Sequence, residues 1–213
     1  MTRKDQTPEG LRAAAPSLPA QVGTARRGAD SGSAAACKAS AAAPAASVGA
    51  HIVVMGVSGC GKSAVGLRIA QELALPLIEG DEFHPASNIE KMRQGIPLDD
   101  GDRAGWLDRL GRELARHDGG AVLTCSALKR SYRDSLRRAA PGLRFVHLSL
   151  SQEQALQRVA ARGGHFYPPS LVASQFAALE DPAHEPGVLV VDACRPLEQA
   201  TQRAVSWLRA AGD

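Results

Sequence analysis

The chain has 213 residues and a formal net charge of +3, and that surplus lies in the first fifty residues, where six Lys/Arg meet three Asp/Glu. From His51 onward nineteen basic residues meet nineteen acidic ones, which argues against a nucleic-acid surface on the folded part. No stretch reaches the length needed to cross a bilayer, and the four cysteines (Cys37, Cys60, Cys125, Cys194) form no C-x-x-C pair, which excludes a zinc ribbon or disulfide framework and fits reduced thiols in a cytoplasmic protein.

Residues 1–50 are rich in Ala, Ser, Pro and Gly, with no aromatic residue and no apolar period. Such a segment cannot bury enough surface to offset its ordering entropy, so a disordered tail is expected. A transit peptide and an over-extended gene start are the alternatives; Asp5, Glu9 and Asp30 count against the first. Residues 51–213 are long enough for one domain with a real core.

His51 to Met55 is a short β-branched run that reads as a buried strand. Gly56-Val57-Ser58-Gly59-Cys60-Gly61-Lys62-Ser63 follows, a complete G-x-x-x-x-G-K-S loop, and Ala64 to Leu75 then repeats apolar residues at helical spacing. A strand, this loop and a helix together are the context that the phosphate-binding motif requires. Its backbone N–H groups and the helix dipole cradle phosphates. Lys62 brings charge to the β- and γ-phosphates of ATP, and Ser63 offers a hydroxyl to Mg²⁺. Cys60 reads either as a chemically active thiol or, by preference, as a small filler.

Pro76 to Gly80 is expected to be a second strand. Asp81 and His84 follow it, in position to orient or deprotonate an attacking hydroxyl and to hydrogen-bond a polyol; the same residues would also suit a capped turn. Asp81 to Asp102 reads as a long polar connection with one short helical piece near residues 88–94. A helical stripe follows (Trp106, Leu110, Leu114), then a third strand over Ala121–Cys125. After that strand, where many phosphate-loop proteins carry a magnesium-ordering Asp, stand Cys125 and Ser126. Lys129, Arg130 and Arg133 gather near the start of the next helix (Leu128 to Ala139), where basic charge opposes the helix dipole. They are expected either to bind an anionic substrate or to form a solvated face.

A fourth strand covers Leu143–Leu150 and a helix Gln152–Arg162. Arg158 and Arg162 share one face of that helix and are expected to clamp the transferring phosphoryl group, or else to pair with unseen carboxylates. Gly163 to Pro169 reads as a lid, with His165 counted among the substrate contacts. Val188–Asp192 is the fifth strand, and Leu197 to Leu208 a final helix. This alternation predicts a three-layer α/β/α fold with a five-stranded parallel sheet, and ligands at the carboxyl ends of its strands.

Several segments together resemble the gluconate kinase (gluconokinase) family of P-loop small-molecule kinases: Met55 to Gly59, Gly80-Asp81 with His84-Pro85, Asn88-Ile89-Glu90-Lys91-Met92, Pro97-Leu98 before Asp102-Arg103, Trp106-Leu107, Cys125 to Lys129, Tyr132-Arg133-Asp134, Gly164-His165-Phe166, Ser174-Gln175-Phe176 with Leu179-Glu180, Val188 to Asp192, and Pro196-Leu197-Glu198. They run in family order through nearly all of residues 51–213. The resemblance implies an adenylate-kinase-like core with a lid. It implies phosphorylation of D-gluconate at its 6-hydroxyl by Mg·ATP, feeding the pentose phosphate or Entner–Doudoroff route, and a homodimer. Cys60 stands where the family often has Ser. The nearest alternatives are a shikimate or adenylylsulfate kinase of the same fold, and a nucleotide-operated switch without a second substrate.

Overall fold

The computed structural model describes residues 50–161 and 170–210. The expected tail over residues 1–49, the expected lid over 163–169, and Arg162 and His165 lie outside the described residues.

Five strands form one sheet in the order β2-β3-β1-β4-β5, every pair parallel. They are β1 (Ala50–Met55), β2 (Leu77–Glu79), β3 (Gly120–Cys125), β4 (Arg144–Ser149) and β5 (Val188–Asp192). Ile52 to Met55 have no exposed surface. Their side chains alternate between two cores, as the two-residue period of a strand dictates. Ile52 and Val54 face one core with Val65, Ile69, Ala155 and Ala204, whereas Val53 and Met55 face the other with Trp106, Leu110, Tyr132 and Leu136. A strand buried on both faces is apolar throughout, which is why it reads as a continuous run and not as an alternation.

The first core is covered by α1 (Lys62–Leu73), α5 (Gln152–Ala161), α6 (Ser170–Ala178) and α7 (Leu197–Ala210), and the second by α3 (Asp100–Leu114) and α4 (Arg130–Ala139). The expected three layers are therefore present. The chain runs from β1 past β3 to β2 on one side and places β4 on the other. The strand order thus switches direction at β1, and a crevice opens at the carboxyl ends of β1 and β3.

Two segments differ from the sequence expectation. The connection after β2 is more ordered than its polar composition suggests: it holds a 3₁₀ turn over Gly80–Phe83, α2 (Ala86–Arg93) and the start of α3. Asp99 caps α3 in a reciprocal capping box with Asp102: the Asp102 N–H donates to Asp99 Oδ1 at 2.8 Å, and the Asp99 N–H to Asp102 Oδ2 at 3.0 Å. Second, α6 was not expected as an element. Its buried residues Leu171, Val172 and Gln175 mix apolar with polar character, which weakens the periodic signal.

Candidate active site

The loop from Gly56 to Ser63 joins β1 to α1 as expected. Gly56, Gly59 and Gly61 all have positive φ (139°, 85° and 96°). At Gly56 a Cβ would lie 2.7 Å from the Leu148 carbonyl oxygen, so that turn has no room for a side chain. The Gly56 N–H donates to the Ser126 carbonyl at 3.3 Å, which ties the phosphate loop to the end of β3. Lys62 Nζ donates to the carbonyls of Gly56 and Val57, each at 3.2 Å. Its ammonium is thereby folded back over the loop that would hold phosphates.

Ser63 Oγ donates to Glu79 Oε2 at 3.1 Å, and Thr124 Oγ1 donates to the same oxygen at 2.6 Å. A carboxylate therefore does stand beside the loop hydroxyl, but it comes from the last residue of β2. Glu79 was not among the expected site residues; the signal available was an acidic residue closing a buried apolar strand. A hydroxyl and one carboxylate are the hard oxygen donors that suit Mg²⁺, which keeps several waters and substrate phosphates in its shell. Cys125 is buried, and burial pushes its thiol up to about 12, so it offers no thiolate there. Cys60 is buried in the first core and its thiol is also raised, mainly by burial with Lys62 opposing. It is a packed filler.

A cavity opens beside the loop. It is lined by Ser58 and Lys62 of the loop, Asp81 and His84 of the connection after β2, Arg103 and Trp106 of α3, and Ser126, Ser174 and Gln175, among others. Asp81 sits one residue into the 3₁₀ turn and not on the strand itself. Gly80 makes that turn possible: a Cβ there would lie 2.2 Å from the Thr124 carbonyl oxygen. The Trp106 indole N–H donates to the Gly80 carbonyl at 2.8 Å and fixes the turn from below. His84 stacks on Trp106, with ring centroids 4.2 Å apart and planes 14° off parallel. Burial and the nearby Arg103 charge lower the imidazole pKa to about 4, against a pull upward from Asp81. His84 is therefore neutral at physiological pH, with one donor and one acceptor nitrogen, which suits a hydroxyl-rich ligand.

The Ser58 N–H donates to Gln175 Oε1 at 2.6 Å. The unexpected helix α6 thus reaches the phosphate loop directly. Arg158 lies along the outer side of the loop, donating to the carbonyls of Ala193 at 2.9 Å and Gly59 at 3.4 Å.

The basic group after β3 separates into three situations. Lys129 binds both oxygens of Asp100, at 2.7 and 2.9 Å, and lines a neighbouring groove with Arg103 and Ser174. The Arg130 side chain is exposed and lies 3.9 Å from Asp134. Arg133 corrects the expectation of a substrate contact. It has no exposed surface, and its guanidinium is engaged by Glu185, by the Glu180 carbonyl and by the carbonyls of Ala127 and Leu128. Ala127 holds a left-handed backbone (φ 44°), and Arg133 captures its carbonyl at 2.9 Å. Arg133 is a structural tie that holds the β3–α4 turn.

The family model described as an AAA domain matches residues 52–186. The chain is similar to the thermosensitive gluconokinase of Escherichia coli (strain K12), 42% identical over 73% of this chain and 85% of that protein. It is also similar to a gluconokinase of Gluconobacter oxydans, 49% identical over 66% of this chain and 80% of that one. Among solved structures, a gluconokinase from Sinorhizobium meliloti 1021 superposes with a TM-score of 0.71 at 48% identity, covering 76% of this chain and 93% of that one.

Proposed function

This chain belongs to the gluconokinase family, and on that footing we propose that it transfers the γ-phosphoryl group of ATP to the 6-hydroxyl of D-gluconate, giving 6-phosphogluconate and ADP. The observation that carries the reading is that Lys62 and Asp81 line one cavity together with a neutral His84. Lys62 supplies charge to the phosphates, Asp81 orients the attacking hydroxyl and accepts its proton, and His84 on Trp106 hydrogen-bonds the polyol. Positioning and electrostatics of this kind account for most phosphoryl-transfer catalysis.

Ser63 and Glu79 would hold Mg²⁺, which would supply positive charge to the phosphates of the nucleotide. Arg158, beside Gly59, and Arg162, four residues on in sequence, are assigned to clamp the transferring phosphoryl group. His165 is assigned to the acceptor. Lys129 and Arg130 act at the rim, where their charge attracts the anionic acceptor. On this reading the enzyme works in the cytoplasm as a homodimer. Among the described residues no helix is long and apolar enough to cross a membrane.

A coupled assay of ADP release with and without gluconate tests the proposal. ATP consumption is expected to depend on gluconate and to be absent with shikimate or adenylylsulfate. Slow ATP hydrolysis indifferent to all three would identify a nucleotide-operated switch instead.

A further inference from the structure

We propose that Arg103 reads the carboxylate of the acceptor and thereby sets which end of the molecule is phosphorylated. The inference rests on the gluconate reading above. Two cationic side chains line the cavity among the described residues, Lys62 and Arg103. Lys62 belongs to the phosphate loop, so a bound carboxylate has Arg103 as its partner.

The surroundings of Arg103 leave its charge available. Nη1 donates to the carbonyls of Leu98 and Asp99, and the guanidinium lies 5.8 Å from the centroid of the Tyr132 ring. Carbonyls and a ring face orient a guanidinium without neutralising it. Two carboxylates that share its end of α3, Asp100 and Asp102, are already engaged. Asp100 accepts from Lys129 and Tyr132. Asp102 accepts from Lys91 at 2.6 Å and from the Asp99 N–H. Arg103 forms no ion pair of its own among the described residues. A half-buried guanidinium with a fixed orientation and an uncommitted edge is well suited to bidentate recognition of a carboxylate.

The polarity of the cavity then selects the reacting end. The ring of His84, stacked on Trp106, lines the cavity together with the acidic Asp81 and the basic Arg103. The acceptor's carboxylate is repelled by Asp81 and drawn to Arg103. Its far hydroxyl is left at Asp81 and Lys62, where the phosphoryl group arrives. The basic residues after β3 do not compete with Arg103 for the carboxylate, since Arg133 is buried, Arg130 faces solvent, and Lys129 is held by Asp100.

The test is steady-state kinetics of Arg103→Gln and Arg103→Lys with both substrates, alongside thermal melting. Losing a charged hydrogen-bond pair is expected to raise the gluconate KM of Arg103→Gln by about 10- to 150-fold. The ATP KM should stay within about threefold and Tm within about 3 °C, since uniform binding energy is lost at one substrate only. Arg103→Lys keeps the charge without the fork, so its gluconate KM should fall between the two. A gluconate KM of Arg103→Gln within about threefold of wild type overturns the proposal, as does an equal rise in both KM values with a lowered Tm, which would mark Arg103 as a support for Leu98 and Asp99. If the wild type itself fails to turn over gluconate, the function reading falls and this inference with it. Turnover by the wild type with no KM change in the variant sinks this inference alone.

Discussion

Ser63 and Glu79 meet across the crevice, the hydroxyl donating to the carboxylate at 3.1 Å, and Thr124 anchors the same carboxylate oxygen from the neighbouring strand at 2.6 Å. The loop hydroxyl is thereby oriented by a residue 16 positions away in sequence. The pair marks the place where Mg²⁺ would be held. Glu79→Gln keeps the shape and removes the charge. Its Mg²⁺ requirement is expected to rise about 10- to 100-fold, the usual cost of losing a group that orients or ligates a metal. Titration of activity against Mg²⁺ at fixed ATP measures this. An unchanged Mg²⁺ curve with a lowered melting temperature would make Glu79 a partner of Thr124 only.

Asp81 lines the same cavity as Lys62. Asp81→Asn retains an acceptor oxygen but hardly takes a proton. A kcat loss of about 10²- to 10⁴-fold is expected, toward the lower end if the transition state is loose. The ATP KM should change little, since the proposal has the phosphates held by residues 56–63. Intact kcat with a lowered Tm would mean that Asp81 serves only to cap the turn.

Arg133→Met is expected to damage stability and not substrate affinity. The substitution leaves Glu185, 8% exposed, with Arg137 at 2.8 Å as its remaining ion-pair partner among the described residues. Breaking a buried pair on one side costs roughly 3–5 kcal/mol. In a domain of this size that corresponds to about 6–20 °C in Tm. Arg133→Met with Glu185→Leu should recover much of the loss, because a well-packed apolar pair can replace a buried ionic one. Melting curves of the single and double variants decide it. An unchanged Tm with a raised gluconate KM would restore Arg133 to the binding site.

His84 should titrate far below the ordinary histidine value. Its pKa is held at about 4, against an ordinary value of 6.5, by burial first and by Arg103 in addition. The depressed value means that the unfolded chain takes up a proton where the folded one does not. The stability this contributes is complete above pH 6.5 and is lost as pH falls toward 4. In an NMR titration of the six histidines, one imidazole should have its midpoint near 4 and vanish from spectra of His84→Asn. A midpoint at 6 or above for that resonance would show that the ring is not packed on Trp106 as described.

The strands were legible nearly to the residue because two-sided burial leaves no polar interruption, as at Ile52 to Met55. The phosphate loop was legible because its backbone geometry demands glycine at fixed spacing. The basic residues after β3 were not. A charge pattern cannot distinguish an arginine reaching for substrate from one whose carboxylate partner lies 52 residues away, as Glu185 does from Arg133. Arg103 stands in the sequence only as part of the family-like Asp102-Arg103 segment and not as a site residue, because its helix begins inside a stretch whose aspartates read as loop, although Asp99 and Asp102 in fact form the cap of α3. Gln175 is hidden for a related reason: it is a buried polar residue on a helix with little amphipathic contrast, and its role is visible only once α6 is seen against Ser58.

Phosphorus NMR of the reaction distinguishes phosphorylation of the primary hydroxyl of gluconate from every other outcome. With ATP, Mg²⁺ and gluconate, ADP and one new phosphomonoester are expected in equal amounts. Its proton-coupled signal should be a triplet, because the ester oxygen is borne by a carbon with two hydrogens. A doublet would place the phosphate on a secondary hydroxyl and contradict the orientation proposed for Arg103 and Asp81. ADP accompanied only by inorganic phosphate would show that the enzyme hydrolyses ATP and does not phosphorylate gluconate.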